Sequence, residues 1–163
     1  MNNCRKIDKY LRDSDGSTRD ITFTPIPPED LFNFLAKFFS EFSDISISDK
    51  DGNEVEANLP KVIDALSSDS GFIHGVLKSE SFMVSPFQIF IDWENPHCFR
   101  VELSYFPQDI ITERFSVSTF LKKVISWWDL LRADEVFIRY ENASWKWYDK
   151  QGLGVFFYKK REA

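Results

Sequence analysis

The histidines and cysteines are the residues of this sequence that could supply a base or a nucleophile, and there are two of each. A serine or cysteine nucleophile needs an adjacent base, which is usually a histidine. His97 and Cys98 are neighbours in the chain, so in a strand their side chains would point to opposite faces of the sheet. His74 lies inside an alternating apolar run. We therefore predict no catalytic dyad and no catalytic residues of this kind.

Metal ions and phosphates need ligands in characteristic patterns. The run DWENPHC offers Asp92, Glu94, His97 and Cys98, but a polar turn between two strands explains this run better than a metal site. The run DKDGNEVE lacks the sixth-position glycine and the twelfth-position glutamate of a calcium loop. The glycines at 152–154 lack the other residues of a nucleotide-binding loop. We predict no metal and no cofactor.

Aromatic and acidic residues alternate in the run RYENASWKWYDKQG, residues 139–152. Paired carboxylates can act as acid and base on a sugar, and Glu141 and Asp149 flank two tryptophans here. The rings could instead pack in the core or form an exposed docking surface. As a second candidate surface for a protein partner, the run offers Glu141, Trp145, Trp147 and Tyr148.

Acidic residues are concentrated in residues 41–56, where six carboxylates accompany a single lysine. The chain has a net charge of −6, and all of this excess lies within residues 1–70. Such a surface disfavours nucleic acid, which is bound by basic patches, and favours a basic protein partner. The predicted partner-binding residues are Glu41, Asp44, Asp49, Asp51, Glu54 and Glu56.

The length of 163 residues suits a single domain spanning 1–163, of which residues 1–19 are polar enough to be loosely ordered. Cys4 and Cys98 are too few and too far apart for a disulfide framework, which indicates a reducing compartment. The start of the chain has no apolar signal-peptide core, and no apolar run is long enough to cross a membrane. These features predict a cytoplasmic protein that does not bind membranes. The oligomeric state stays open.

Hydrophobic periodicity predicts an α+β fold, with a mostly antiparallel sheet and helices packed largely on one face. Three consecutive strands with short connections should form an antiparallel meander, at 71–79, 86–93 and 98–106. The clearest helix spans 116–134, and the spacing of its apolar residues predicts that Trp128 is more buried than Trp127. Further elements are predicted as strands at 20–26, from 135 and at 152–160, a helix after Pro28, a hairpin within 41–56 and a short helix after 58.

The run FLKKVISWWDLLRADEVFIRYENASWKWYD resembles the C-terminal helix–strand unit of small bacterial cytosolic proteins. Such proteins recur among the immunity proteins of polymorphic toxin and contact-dependent growth inhibition systems. The resemblance covers the C-terminal third of the chain. It implies a non-catalytic protein that binds and blocks a cognate toxin domain, often a basic nuclease, and it assigns no individual functional residues.

Three functions are compatible with these observations. The first is an immunity protein whose acidic surface covers a basic toxin domain, as the resemblance implies. The second is another protein-binding adaptor, of a phage-encoded or chaperone-like kind. The third is an enzyme that uses the carboxylates near 141–149. We favour the first, because it also accounts for the acidity and the small size.

Overall fold

The protein forms one antiparallel sheet whose helices cover a single face. The structure, a computed structural model, describes residues 2–141 and 154–162. In the described part the sheet has eight strands in the order β3-β2-β4-β5-β6-β1-β7-β8, and each neighbouring pair is antiparallel. The strands are β1 (Arg19–Ile26), β2 (Asp44–Asp49), β3 (Glu54–Val55), β4 (Gly71–Lys78), β5 (Phe87–Asn95), β6 (Cys98–Tyr105), β7 (Glu135–Tyr140) and β8 (Val155–Lys160). The helices are α1 (Asn2–Arg12), α2 (Pro28–Phe39), α3 (Leu59–Ala65) and α4 (Val117–Leu131). The predicted α+β class and the β4–β5–β6 meander are confirmed.

Alternation along the strands separates a covered face from an open face. In β5 the residues Phe87, Ile89, Ile91 and Trp93 are buried, and the residues between them are partly exposed. In β6 the residues Phe99, Val101, Leu103 and Tyr105 are buried in the same way, and Ser104, on the other face, is buried as well. Successive side chains of a strand point to opposite faces, so the buried set meets the helices. No helix of the described residues packs on the opposite, open face of the sheet.

Helix α4 is the main cover of the sheet, and its register differs from the one predicted. Ser116 caps the helix, because its hydroxyl accepts a hydrogen bond from the Thr119 N–H at 3.1 Å. Its buried residues are Phe120, Val124, Trp127 and Leu131.

The prediction that Trp128 is the more buried tryptophan is wrong. Trp127 is only 2% exposed and contacts the rings of Phe38, Phe82 and Phe87. In an amphipathic helix the apolar stripe continues at the third or the fourth residue after each buried residue. After Val124 it continues at the third residue, Trp127, and not at the fourth, Trp128. Trp128 is therefore turned by about 100° to the rim of the core.

The N-terminal segment is held to the sheet by a buried arginine. Helix α1 spans Asn2–Arg12 of the polar N-terminal segment, and its Leu11 is fully buried. Arg19, also fully buried, donates to the backbone carbonyls of Tyr10 at 2.7 Å, Ser17 at 3.1 Å and Thr18 at 3.1 Å. Its guanidinium also stacks on Tyr140, 3.9 Å from the ring centre. This one side chain thus connects α1, the following loop and β7.

Candidate functional site

The acidic segment forms a hairpin at one edge of the sheet. We call residues 44–56 the acidic hairpin. Its strands pair through Ile47 with Val55 and through Ser48 with Glu54, and β2 pairs in turn with β4. At the turn, Gly52 has a φ of 81°, a conformation that glycine adopts without strain. The turn and β3 therefore place Asp51, Glu54 and Glu56 at the edge of the sheet, outside β2.

Asp49 organises this turn. Its carboxylate accepts hydrogen bonds from the backbone N–H groups of Asp51 and Asn53, both at 2.9 Å, and from the Asn53 side chain at 3.3 Å. The Asn53 backbone hydrogen bond is the main reason that the pKa of Asp49 lies below its usual value. Asp49 is thus a turn-forming residue, because its oxygens already have partners.

The other carboxylates of the acidic hairpin are available to a partner. Asp44, Asp51, Glu54 and Glu56 are all exposed. Within residues 2–141 and 154–162, no salt bridge involves any of these four side chains. A surface with an excess of exposed carboxylates produces a negative potential that attracts basic proteins. Asp51, Glu54 and Glu56 lie in or beside the turn, whereas Asp44 lies at the other end of β2, opposite Lys78 of β4.

Glu41 lies apart from the acidic hairpin. It follows the end of α2, and its carboxylate pairs with the ammonium of Lys123 on α4. Both residues line a cleft of about 490 Å³ between the two helices, above Trp127. Glu41 thus bridges α2 and α4 on the helical side of the molecule, although the sequence groups it with the hairpin.

The second candidate surface is described only at its first residue. Glu141 lies in the turn after β7, is exposed, and accepts a hydrogen bond from the Thr18 N–H at 3.3 Å. Trp145, Trp147 and Tyr148 lie outside the described residues, as does Asp149. The docking and enzymatic interpretations of this run therefore stay predictions.

Charged side chains form a network across the middle strands on the open face. Glu102 on β6 accepts a hydrogen bond from Arg100 at 3.0 Å and lies 3.5 Å from the guanidinium of Arg139 on β7. Asp20 on β1 is 5% exposed and accepts hydrogen bonds from the hydroxyls of Thr18 and Ser104 at 2.9 and 2.8 Å. Burial, and secondly the charge of Glu102, raise the pKa of Asp20 above its usual value.

An aromatic patch lies between this network and the acidic hairpin. We define it as Phe72 and His74 of β4 with Phe90 of β5. The His74 and Phe90 rings stack with their centres 4.6 Å apart, and Phe72 lies 6.0 Å from Phe90. His74 also shares a hydrogen bond of 2.9 Å with Gln88. The patch is not among the surfaces predicted from the sequence, although Phe72 and His74 alternate with the buried Ile73 and that pattern indicates their place on the open face.

The remaining residues of chemical interest are dispersed. His97 and Cys98 are both exposed, at the turn between β5 and β6. In the described part of the chain, no three histidine, cysteine or acidic residues are grouped closely enough to hold a metal ion. No helix there is long and apolar enough to cross a membrane.

No family model and no curated protein sequence matches this chain. Its fold is similar to that of one chain in a crystal structure of the toxic C-terminal tip of CdiA from Pseudomonas aeruginosa in complex with immune protein. The two chains superpose with a TM-score of 0.61 at 13% sequence identity, over 90% of this chain and 97% of the other. This likeness confirms, at the level of the fold, the resemblance to proteins of contact-dependent growth inhibition systems that the α4–β7 sequence indicates.

Proposed function

We propose that this protein is an immunity protein, which binds a cognate bacterial toxin domain in the cytoplasm and neutralises it without catalysis. The observation that carries the proposal is the fold shared, over nearly the whole chain, with a component of a complex between a toxic tip and its immune protein. The negative net charge of the chain suits the immune protein of such a pair. A chain with a net charge of −6 is complementary to a basic toxin domain, such as a nuclease.

The acidic hairpin is the surface that we propose for first contact with the toxin. A nuclease cleft that binds phosphates is lined with basic side chains, so carboxylates can occupy it in place of the phosphates. The exposed side chains of Asp51, Glu54 and Glu56 protrude from the sheet edge at a turn whose shape is fixed by Asp49. Because the turn is already ordered, binding does not require the hairpin to lose much conformational freedom.

Growth rescue tests this function directly. The probe is the C-terminal domain of the protein encoded immediately upstream of this gene, expressed from an inducible promoter in a host that carries either this protein or an empty vector. We expect growth only in cells that carry the protein, and we expect the two proteins to co-elute on size exclusion. A matched control is an immunity protein from an unrelated toxin pair, which should not rescue growth.

Two results would contradict the proposal. One is an upstream gene product that is not toxic, or that kills cells equally well in the presence of this protein. The other is recovery of a housekeeping protein, instead of the toxin domain, as the stable partner in a pull-down. The second result would favour the adaptor function.

A further inference from the structure

The aromatic patch is an exposed apolar area in the middle of polar surroundings. Phe72 is 37% exposed, and Tyr158 is the only other large hydrophobic residue so exposed in the part of the chain that the structure describes. The Phe90 and His74 rings are partly buried beside it. Because these rings already contact one another, their positions are fixed before a partner arrives. Fixed aromatic side chains of this kind are typical of the centre of protein interfaces.

Asp92 lies directly opposite Phe72 in the β4–β5 register, on the same open face. Side chains of residues paired in this way across two strands are in contact distance of each other. The Asp92 carboxylate has no hydrogen bond and no salt bridge with any residue in 2–141 or 154–162. Arg100 of β6 lies opposite Asp92 in the β5–β6 register, but its guanidinium donates a hydrogen bond to Glu102 and not to Asp92. The carboxylate oxygens of Asp92 therefore remain available as acceptors.

The surroundings of Asp92 favour an incoming cation. Burial is the main cause that raises its pKa; the charge of Arg100 lowers the pKa, and the charges of Glu102 and Glu94 raise it. The hairpin and the strands around the aromatic patch, residues 44–56, 71–78 and 87–102, contain eight acidic residues and three basic ones. A partly buried carboxylate in this field would gain a counter-ion from a basic partner more readily than from solvent.

An arginine fits this pair of features better than a lysine. The guanidinium group is planar, so it can stack on the faces of aromatic rings, and its fork of N–H groups matches the two oxygens of a carboxylate. Attraction between a cation and an aromatic ring is strongest where water is excluded, as at the centre of an interface. A lysine would supply the charge but neither the stacking surface nor the paired hydrogen bonds.

We propose that the aromatic patch and Asp92 form a recognition site for one arginine of the toxin domain, with the guanidinium stacked on Phe72 and Phe90 and hydrogen-bonded to Asp92. This inference rests on the proposed function and adds a second, short-range contact to the long-range attraction of the acidic hairpin. The toxin would thus be drawn by the hairpin and held at the open face of β4 and β5.

The test measures the affinity of the purified upstream toxin domain, in a catalytically inactive form, for the protein and its variants by calorimetry. The site variants are Phe72→Ala and Asp92→Asn. Matched controls are Tyr158→Ala, which removes an exposed ring at the opposite edge of the sheet, and Glu113→Gln, which removes an exposed charge elsewhere. Far-UV circular dichroism and thermal melting establish that each variant is folded.

We expect Phe72→Ala and Asp92→Asn each to raise Kd by about tenfold or more, as for residues at the centre of an interface, and the controls by less than about threefold. Replacing each arginine of the toxin by alanine should identify one position whose effect is not additive with that of Asp92→Asn. Such coupling would assign the guanidinium to this site.

The outcomes separate this inference from the function on which it rests. If the wild-type protein binds the toxin domain and both folded site variants bind with unchanged Kd, the arginine site is wrong and the immunity function stands. If every arginine variant of the toxin is additive with Asp92→Asn, the site is also wrong. If the wild-type protein does not bind the toxin domain at all, the proposed function fails and this inference fails with it.

Discussion

Reversing three charges of the acidic hairpin should slow toxin binding without unfolding the protein. The variant is Asp51→Lys, Glu54→Lys, Glu56→Lys. All three side chains are exposed and form no salt bridge in the described structure, so the fold loses no ion pair when they change. Asp49 is left in place, because its carboxylate holds the turn through three hydrogen bonds.

The expected size of the effect follows from the positions of these charges. Exposed charges at an interface rim act mainly on the association rate, and steering can raise that rate by about ten- to a thousandfold. Reversing three of them changes the net charge from −6 to zero. We expect the association rate constant to fall by about ten- to a hundredfold at an ionic strength of about 10 mM. At about 1 M salt the Debye length is only about 3 Å, so wild type and variant should converge.

A control variant distinguishes the effect of the hairpin charges from the effect of the net charge of the protein. Glu80→Lys, Glu113→Lys, Glu162→Lys reverses three exposed acids outside the hairpin and also brings the net charge to zero. Stopped-flow association kinetics with the toxin domain at both salt concentrations gives the comparison. An equal loss of rate in the two triple variants would refute a role for the hairpin itself, as would an unchanged rate for the hairpin variant at low salt.

Three further predictions concern the stability of the fold, each measured by urea unfolding. Trp127→Ala should lower the free energy of unfolding by about 3–5 kcal/mol, the range for a large core ring. Trp128→Ala should lower it by only about 1–2 kcal/mol, because it removes a hydrogen bond to the Ala133 carbonyl and a cation–π contact with Arg161. Equal losses for the two variants would contradict the α4 register. Arg19→Met should cost about 3–5 kcal/mol, because three buried or partly buried backbone carbonyls lose their donor. An unchanged midpoint would show that Arg19 does not hold α1 to the sheet. The raised pKa of Asp20 means that the folded state retains a proton that the unfolded state has lost, so stability due to this group falls as pH rises from about 4 through the raised pKa. Asp20→Asn keeps the acceptor oxygen, so the stability of this variant relative to wild type should increase between about pH 4 and pH 7, and a constant difference would contradict the direction of the shift.

The strands were predictable because their periodicity is strong. In β5 and β6 every second residue is large and apolar, and only a sheet with one covered face satisfies that pattern. The α4 register was less predictable, because Trp127 and Trp128 are adjacent and either could continue the stripe from Val124. The rings of Phe38, Phe82 and Phe87, which come from other elements, decide between them.

Other features of the site depend on contacts between distant parts of the chain. Arg19 lies in a polar segment, and nothing local indicates that backbone carbonyls from a helix and a loop enclose it. Glu41 belongs to the densest acidic run of the sequence, but its partner Lys123 comes from a helix 82 positions later. The acidic hairpin itself was predictable, since Asp51-Gly52 is a strong local turn signal.

The alternation of covered and open faces also affects how this protein can change during evolution. Strands β4 and β5 each contribute one set of residues to the core and a second set, interleaved with the first, to the open face. Substitution of a member of the second set leaves the core unchanged, and surface changes usually alter stability by less than about 0.5 kcal/mol. Specificity for a new partner could therefore arise at β4 and β5 while the fold is preserved. The buried Asp20 and Thr22 make the β1 region of the same face less permissive, so variation should be concentrated toward the acidic hairpin.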